Sequence, residues 1–276
     1  MRLFAVSDLH VGYRENRDLV AAIPSAEDDW LILGGDIGER ISDLELVLSL
    51  TVPRFARVAW VPGNHDLWTR SGDGEEGLRG EAKYRRLVEV CREHGVLTPE
   101  DPYALLPGGG PPTVLVPMFL LYDYSFRPPD VSREDALAWA REEGVRCADE
   151  GLLDFEPHAS RDAWCASRLA WTERRLAELP EGTSTVLVNH FPLRRAHARP
   201  PLVPRFSLWC GTERTDDWHL RYRARAVVYG HLHIARTHVD DGVVFEEVSL
   251  GYPYQRPMRR ARGLLREILP GAWSDG

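Results

Sequence analysis

Five short polar stretches hold the residues of this 276-residue chain best suited to bind cations or move protons. They are Asp8 and His10 in SDLH, Asp36 in GGDI, Asn64, His65 and Asp66 in GNHD, His190 in NHFP, and His231 and His233 in GHLH. Five of the ten histidines fall in them. Imidazole, carboxylate and a side-chain amide, with no thiolate, suit Mn, Fe, Ni, Co or Zn in a reactive site rather than a structural zinc. A lone His or Asp at the end of a strand is more often a turn residue or a helix cap. Here seven candidate ligands recur: Asp8, His10, Asp36, Asn64, His190, His231 and His233. That exceeds what one ion with an open position needs and fits two ions sharing a carboxylate.

Each stretch closes an apolar run: RLFAV (2–6), WLILGG (30–35), RVAWVPG (57–63), TVLV (185–188) and AVVYG (226–230). Continuous apolar runs of this length predict strands covered on both faces. Parallel strands deliver their carboxyl ends to one edge, where ligands bind. In extended backbone residues i and i+2 share a side, which predicts that Asp8 acts with His10 and His231 with His233. Helical patterns lie between the runs. SDLELVLSL (42–50) opens with Ser42 as N-cap and an acid at Glu45. Residues 81–95 end in Gly95, suited to the position after a helix, and 160–179 repeat apolar residues at 4-3-4-3 spacing before Pro180. YALL and TVLV around GGGPP predict a hairpin with a wide turn. The alternation predicts one α/β domain over 1–276, with 130–180 as a helical insertion or cap and a short helix after Pro257.

A net charge of −8 supplies no overall field for nucleic acid or an anionic membrane, and no apolar run is long enough to span a bilayer. Lys83 is the only lysine, so local positive charge must come from arginine. Cys91, Cys147, Cys165 and Cys210 are scattered without a C-x-x-C pair and predict reduced thiols. With Asp8 so close to the start, no signal peptide is expected, and the expectation is a cytoplasmic protein.

In this order, SDLH, GGDI, GNHD, NHFP and GHLH resemble the five blocks of the calcineurin-like metallophosphoesterases, over residues 7–233. The resemblance implies a four-layer αββα sandwich, two mixed β-sheets flanked by helices, with metals at the sheet edge. It implies two divalent metal ions, manganese or iron ahead of nickel, cobalt and zinc. Asp8, His10, Asp36 and His233 would hold the first, and Asn64, His190 and His231 the second, with Asp36 bridging. It implies hydrolysis of a phosphoester by a hydroxide between the ions, with His65 as the proton donor to the leaving group.

In GDIGER, Arg40 is the expected phosphate clamp and Glu39 the expected partner of His65, with Asp66 as its rival. GNHD in place of the GNHE typical of protein phosphatases favours a small-molecule or nucleotide substrate. With one cation near the site, Arg40, and Arg194 and Arg195 in reserve, a diester is expected over a monoester. A substrate ring would rest on the loop of Tyr122, Tyr124 and Phe126. The competing readings are a binding scaffold, which usually loses ligands in such blocks, and an amidohydrolase, whose H-x-H opening and bridging lysine are missing.

Overall fold

The computed structural model describes residues 1–70, 72, 77–108, 111–200, 202–255 and 263–270. Strands β1 (Leu3–Val6), β2 (Ala26–Leu33) and β3 (Phe55–Trp60) alternate with helices α1 (Arg14–Ala21) and α2 (Ile41–Thr51). Then follow α3 (Gly80–Glu93), β4 (Ala104–Leu105), β5 (Thr113–Pro117), α4 (Ala136–Glu142), α5 (Asp149–Leu152) and α6 (Arg161–Ala177). The chain closes with β6 (Ser184–Val188), α7 (Trp218–Arg221), β7 (Ala224–Tyr229), β8 (Arg236–Asp240), β9 (Val243–Glu247) and β10 (Arg266–Leu269).

Two mixed sheets result, ordered β10-β1-β2-β3 and β4-β5-β6-β7-β9-β8. β1, β2 and β3 run parallel, as do β5, β6, β7 and β9, and antiparallel strands close the edges. The period of two sorts the side chains. Leu3, Ala5, Ile32, Ala59 and Val61 meet Leu115, Val186, Val188, Ala226 and Val228 between the sheets. Small residues there let the two sheets approach. Val6, Leu31, Leu33, Val58, Trp60, Leu187 and Val227 face outwards onto Leu44 and Val47 of α2, Leu87 of α3 and Leu169 of α6. This is the expected sandwich of two mixed sheets flanked by helices.

Several local expectations change. α2 starts at Ile41, not after Ser42, because the Asp43 carboxylate accepts the N–H groups of Glu39 and Arg40 at 3.2 Å. The hairpin pairs β4 with β5, and the tip at 109–110 lies outside the described residues. Residues 130–180 form three helices, and Ala136, Ala140 and Trp164 of these, with Leu153 just after α5, join the main hydrophobic cluster. After Pro257 the described part of the tail is a strand instead of a helix. β10 pairs with the free edge of β1, and Arg266 reaches the fully buried Glu246 at 2.9 and 3.0 Å. The rest of that tail, 258–262 and 271–276, lies outside the described residues. No helix among the described residues is long and apolar enough to cross a membrane.

Candidate metal centre

The polar stretches follow the carboxyl ends of β1, β2 and β3 in one sheet and of β6 and β7 in the other. A bridge between Ser7 and Ser249 joins the two sheets at this end. The backbone there is not extended. Asp8, His10, Asp36, His231 and His233 all have positive φ, between 42° and 71°. For such side chains this conformation costs about 1–2 kcal/mol each. Hydrogen bonds hold it: Asp8 N–H donates to the Gly35 carbonyl at 2.8 Å, His10 N–H to that of Asp36 at 3.0 Å, and Gly251 N–H to that of Asp8 at 3.0 Å. Asp8 and His10 do converge, but through two left-handed residues that send Leu9 into the core instead of through a strand. His231 and His233 do the same around Leu232.

The donor atoms crowd together. Three sets of three have their donor atoms within 4.8 Å of one another: Asp8, His10 and His233; His10, Asp36 and His65; and Asp8, Asp36 and His190. His233 Nε2 lies 3.0 Å from Asp8 Oδ1 and 3.1 Å from His10 Nε2. Asn64 Oδ1 lies 3.2 Å from His231 Nδ1. Outer partners fix the tautomers, as is usual for metal-binding histidines. His190 Nδ1–H donates to the Gly34 carbonyl at 2.9 Å, which turns Nε2 towards Asp36 Oδ2 at 3.4 Å. His233 Nδ1–H donates to Gln255 Oε1 at 2.9 Å. Gly63 is needed because a Cβ there would sit 2.1 Å from Asp36 Oδ1.

The electrostatics favour cations. Burial opposes the charged forms of Asp8 and Asp36, yet His233 at Asp8 and His190 at Asp36 hold both below the usual carboxylate range. Burial likewise opposes the charge on His190, but Asp36 and Asp8 push it up to about 10. Burial pushes His10 and His231 down to about 3, which keeps their lone pairs available. Buried Nε2 atoms of His190 and His231 have no hydrogen-bond partner among the described residues. Buried, ionised carboxylates beside neutral imidazoles, with no arginine or lysine paired to them among the described residues, fit a pair of divalent ions.

The calcineurin-like phosphoesterase family matches residues 1–235. The chain belongs to that family. A [acyl-carrier-protein] phosphodiesterase, PptH of Mycobacterium tuberculosis, is 50% identical over 270 residues, 97% of this chain and 83% of the relative. A crystal structure of phosphopantetheinyl hydrolase (PptH) from Mycobacterium tuberculosis superposes with a TM-score of 0.94 at 49% identity, covering 98% of this chain and 96% of the other. The chain is therefore a metal-dependent phosphoesterase, a hydrolase of phosphoester bonds.

Around the phosphoesterase centre some expected residues take their places and others do not. His65 is wedged between Trp68, whose ring is 3.6 Å away, and His10, at 4.7 Å. Glu39 Oε1 is 3.6 Å from His65 Nδ1, and Glu39 Oε2 pairs with Arg70 at 2.9 Å. Burial opposes protonation of His65, but Asp36 and Glu39 raise its pKa above the ordinary histidine value. Asp66 is no rival to Glu39. Its carboxylate accepts the N–H groups of Asp36, Ile37, Gly38 and Gly63 at 2.8–3.3 Å and so knits the β2 and β3 loops together.

Arg40 is exposed at the head of α2 and does not line the cavity over the centre. Arg194 pairs with Asp240 and Asp241 at 3.3 and 3.2 Å, and Arg195 with Glu213 at 2.8 Å, so neither is in reserve. Tyr122, Tyr124 and Phe126 are at most 2% exposed and belong to the core, because Tyr122 donates to Asp149 and Tyr124 to Glu150.

A cavity of about 330 Å³ lies over Asp36, Asn64, His65, His231 and His233. Its wall is Trp68, Cys147, Pro200, Val203, Phe206 and Tyr252, with Arg146 as its single arginine among the described residues. The sequence pattern did not mark Arg146, Asp149, Tyr252 or Gln255. They lie outside every motif, on segments whose path to the site depends on the fold.

Proposed function

We propose that this phosphoesterase cleaves the phosphodiester that carries a phosphopantetheinyl group on an acyl carrier protein. The observation that carries the reading is 50% identity over 97% of the chain to a phosphodiesterase of that description. The cavity agrees with it. A diester carries one negative charge, and among the described residues a single arginine, Arg146, lines the wall beside largely apolar neighbours. A nucleotide diester is the runner-up, with Tyr252 and Trp68 as the available rings.

We assign Asp8, His10, Asp36 and His233 to one cation and Asp36, Asn64, His190 and His231 to the other, with manganese or iron favoured. Bound there, two divalent ions would acidify water and offset charge on the phosphate oxygens. The protein's own groups do the rest. His65 Nε2 lies 3.9 Å from Asp36 Oδ2 and 3.5 Å from the Tyr252 hydroxyl, so it faces the cavity and donates the proton that an alkyl leaving oxygen requires. Glu39 beside Nδ1 and the Trp68 ring hold the imidazole in place. Arg146 binds a phosphate oxygen, and the apolar wall excludes competing water. We take residues 130–180 as part of one catalytic domain over 1–276, because Arg146, Cys147 and Ala148 line the cavity. Free thiols at Cys91, Cys147, Cys165 and Cys210 agree with a cytoplasmic setting.

The test incubates the Mn²⁺-loaded enzyme with phosphopantetheinyl carrier protein and follows the carrier by intact mass spectrometry. Loss of the phosphopantetheinyl mass is expected. An unchanged carrier beside brisk turnover of cyclic nucleotides would shift the assignment to nucleotide diesters.

A further inference from the structure

The four-residue helix α5 opens with Asp149, whose side chain is fully buried although it lies in no motif. Three donors converge on its carboxylate. Trp68 Nε1–H donates to Oδ1 at 2.7 Å, Asn64 Nδ2–H to the same oxygen at 2.9 Å, and the Tyr122 hydroxyl to Oδ2 at 3.1 Å. An indole N–H can only donate, so Oδ1 is an acceptor, and the group that Asn64 presents to it must be its nitrogen. The Asn64 oxygen is thereby turned the other way, to 3.2 Å from His231 Nδ1.

We propose that Asp149 is a positioning residue for the metal centre, which locks the Asn64 amide with its oxygen towards the second cation. The proposal rests on Asn64 and His231 being ligands of that cation. A side-chain amide has two orientations of nearly equal shape, and only one offers an oxygen. The flipped amide would aim its N–H groups at a cation and leave its oxygen against the Asp149 carboxylate, so both ends would be repelled. Asp149 therefore selects between two states that sterics alone do not separate. Its stretch also reaches substrate space: Arg146, Cys147 and Ala148 line the cavity immediately before it. The wall that meets the phosphoester and the acceptor that sets a ligand are thus one piece of chain.

The test measures Mn²⁺ binding to the purified protein by calorimetry, independently of turnover. Asp149→Leu should weaken one of the two ions roughly 10–100-fold, the range for an outer partner of a ligand, and leave the other unchanged. Asp149→Asn should stay near wild type, because its carbonyl can still accept the Asn64 N–H. In an Asn64→Ala background, Asp149→Leu should add nothing further. If Asn64→Ala leaves both ions at wild-type affinity, the ligand assignment itself fails. If Asn64→Ala weakens one ion while a folded Asp149→Leu does not, the positioning role is overturned. Should Asp149→Leu not fold, ¹⁵N NMR of the wild-type protein decides, with the Asn64 side-chain amide identified by its loss in Asn64→Ala. Slow exchange with water is expected, and exchange as fast as for an exposed asparagine would overturn the proposal.

Discussion

The molecule has two clusters built from the same residue types. At the sheet edge Asp8, Asp36, His10, His190, His231 and His233 crowd together almost without exposure. In the second cluster Asp240 and Asp241 meet His197 and His219 at 2.7 and 3.0 Å. There Arg194 reaches both carboxylates, which are 37% and 51% exposed. The second cluster is already neutralised by its own guanidinium and by water. In the first cluster no arginine or lysine compensates the carboxylates among the described residues, and their ion-pair partners are histidines alone. Composition does not distinguish a metal centre from an ion-pair network. Whether the carboxylates already have a cation of their own does.

The comparison is broken most directly at Asp36, which shares one donor set with His10 and another with Asp8 and His190 and is the proposed bridge. Asp36→Ala should lose both ions and more activity than the roughly 10²–10³-fold typical of removing one electrostatic stabiliser. Metal analysis checks it, and retention of two ions per chain would overturn the bridging assignment.

His65 sharpens the boundary between binding and proton transfer. His65→Ala should keep both ions, yet lose on the order of 10²–10⁴-fold with alkyl leaving groups and far less with p-nitrophenolate, which leaves without a proton. Equal losses for the two substrates would mean that His65 positions phosphate instead.

Next comes Arg146, the one arginine in the cavity wall among the described residues. Arg146→Ala should leave metal content unchanged and lower kcat/KM for the diester about tenfold, the lower end for a charge-assisted hydrogen bond at an exposed group. Arg40→Ala, outside the wall, should stay close to wild type, and the opposite ranking would return the clamp to Arg40. The smallest effect is expected in the second cluster. Asp241→Asn should change neither metal content nor turnover and leave the urea midpoint close to wild type, because the pair is solvent-screened.

The polar strand ends were legible because each stands where an apolar run stops, and the fold brings them together. Their conformation was not legible, since positive φ at Asp8 and His231 comes from hydrogen bonds to residues far along the chain. The β8–β9 hairpin, turning at Asp241-Gly242, and the β10 strand escaped the reading as well. β10 exists because β1 offers it a free edge, a fact no local pattern contains.

By itself the sequence determined the alternation of buried strands and helices, the polar residues at the strand ends and the family to which they point, because period and residue type are local properties. Only the tertiary structure decided which charged groups remain uncompensated. It paired Arg194 and Arg195 with surface acids, buried Tyr124 in the core, brought Arg146 to the cavity and set Asp149 against Asn64. Each of these outcomes depends on distances between segments that lie far apart in the chain, and spacing along the sequence carries no measure of them.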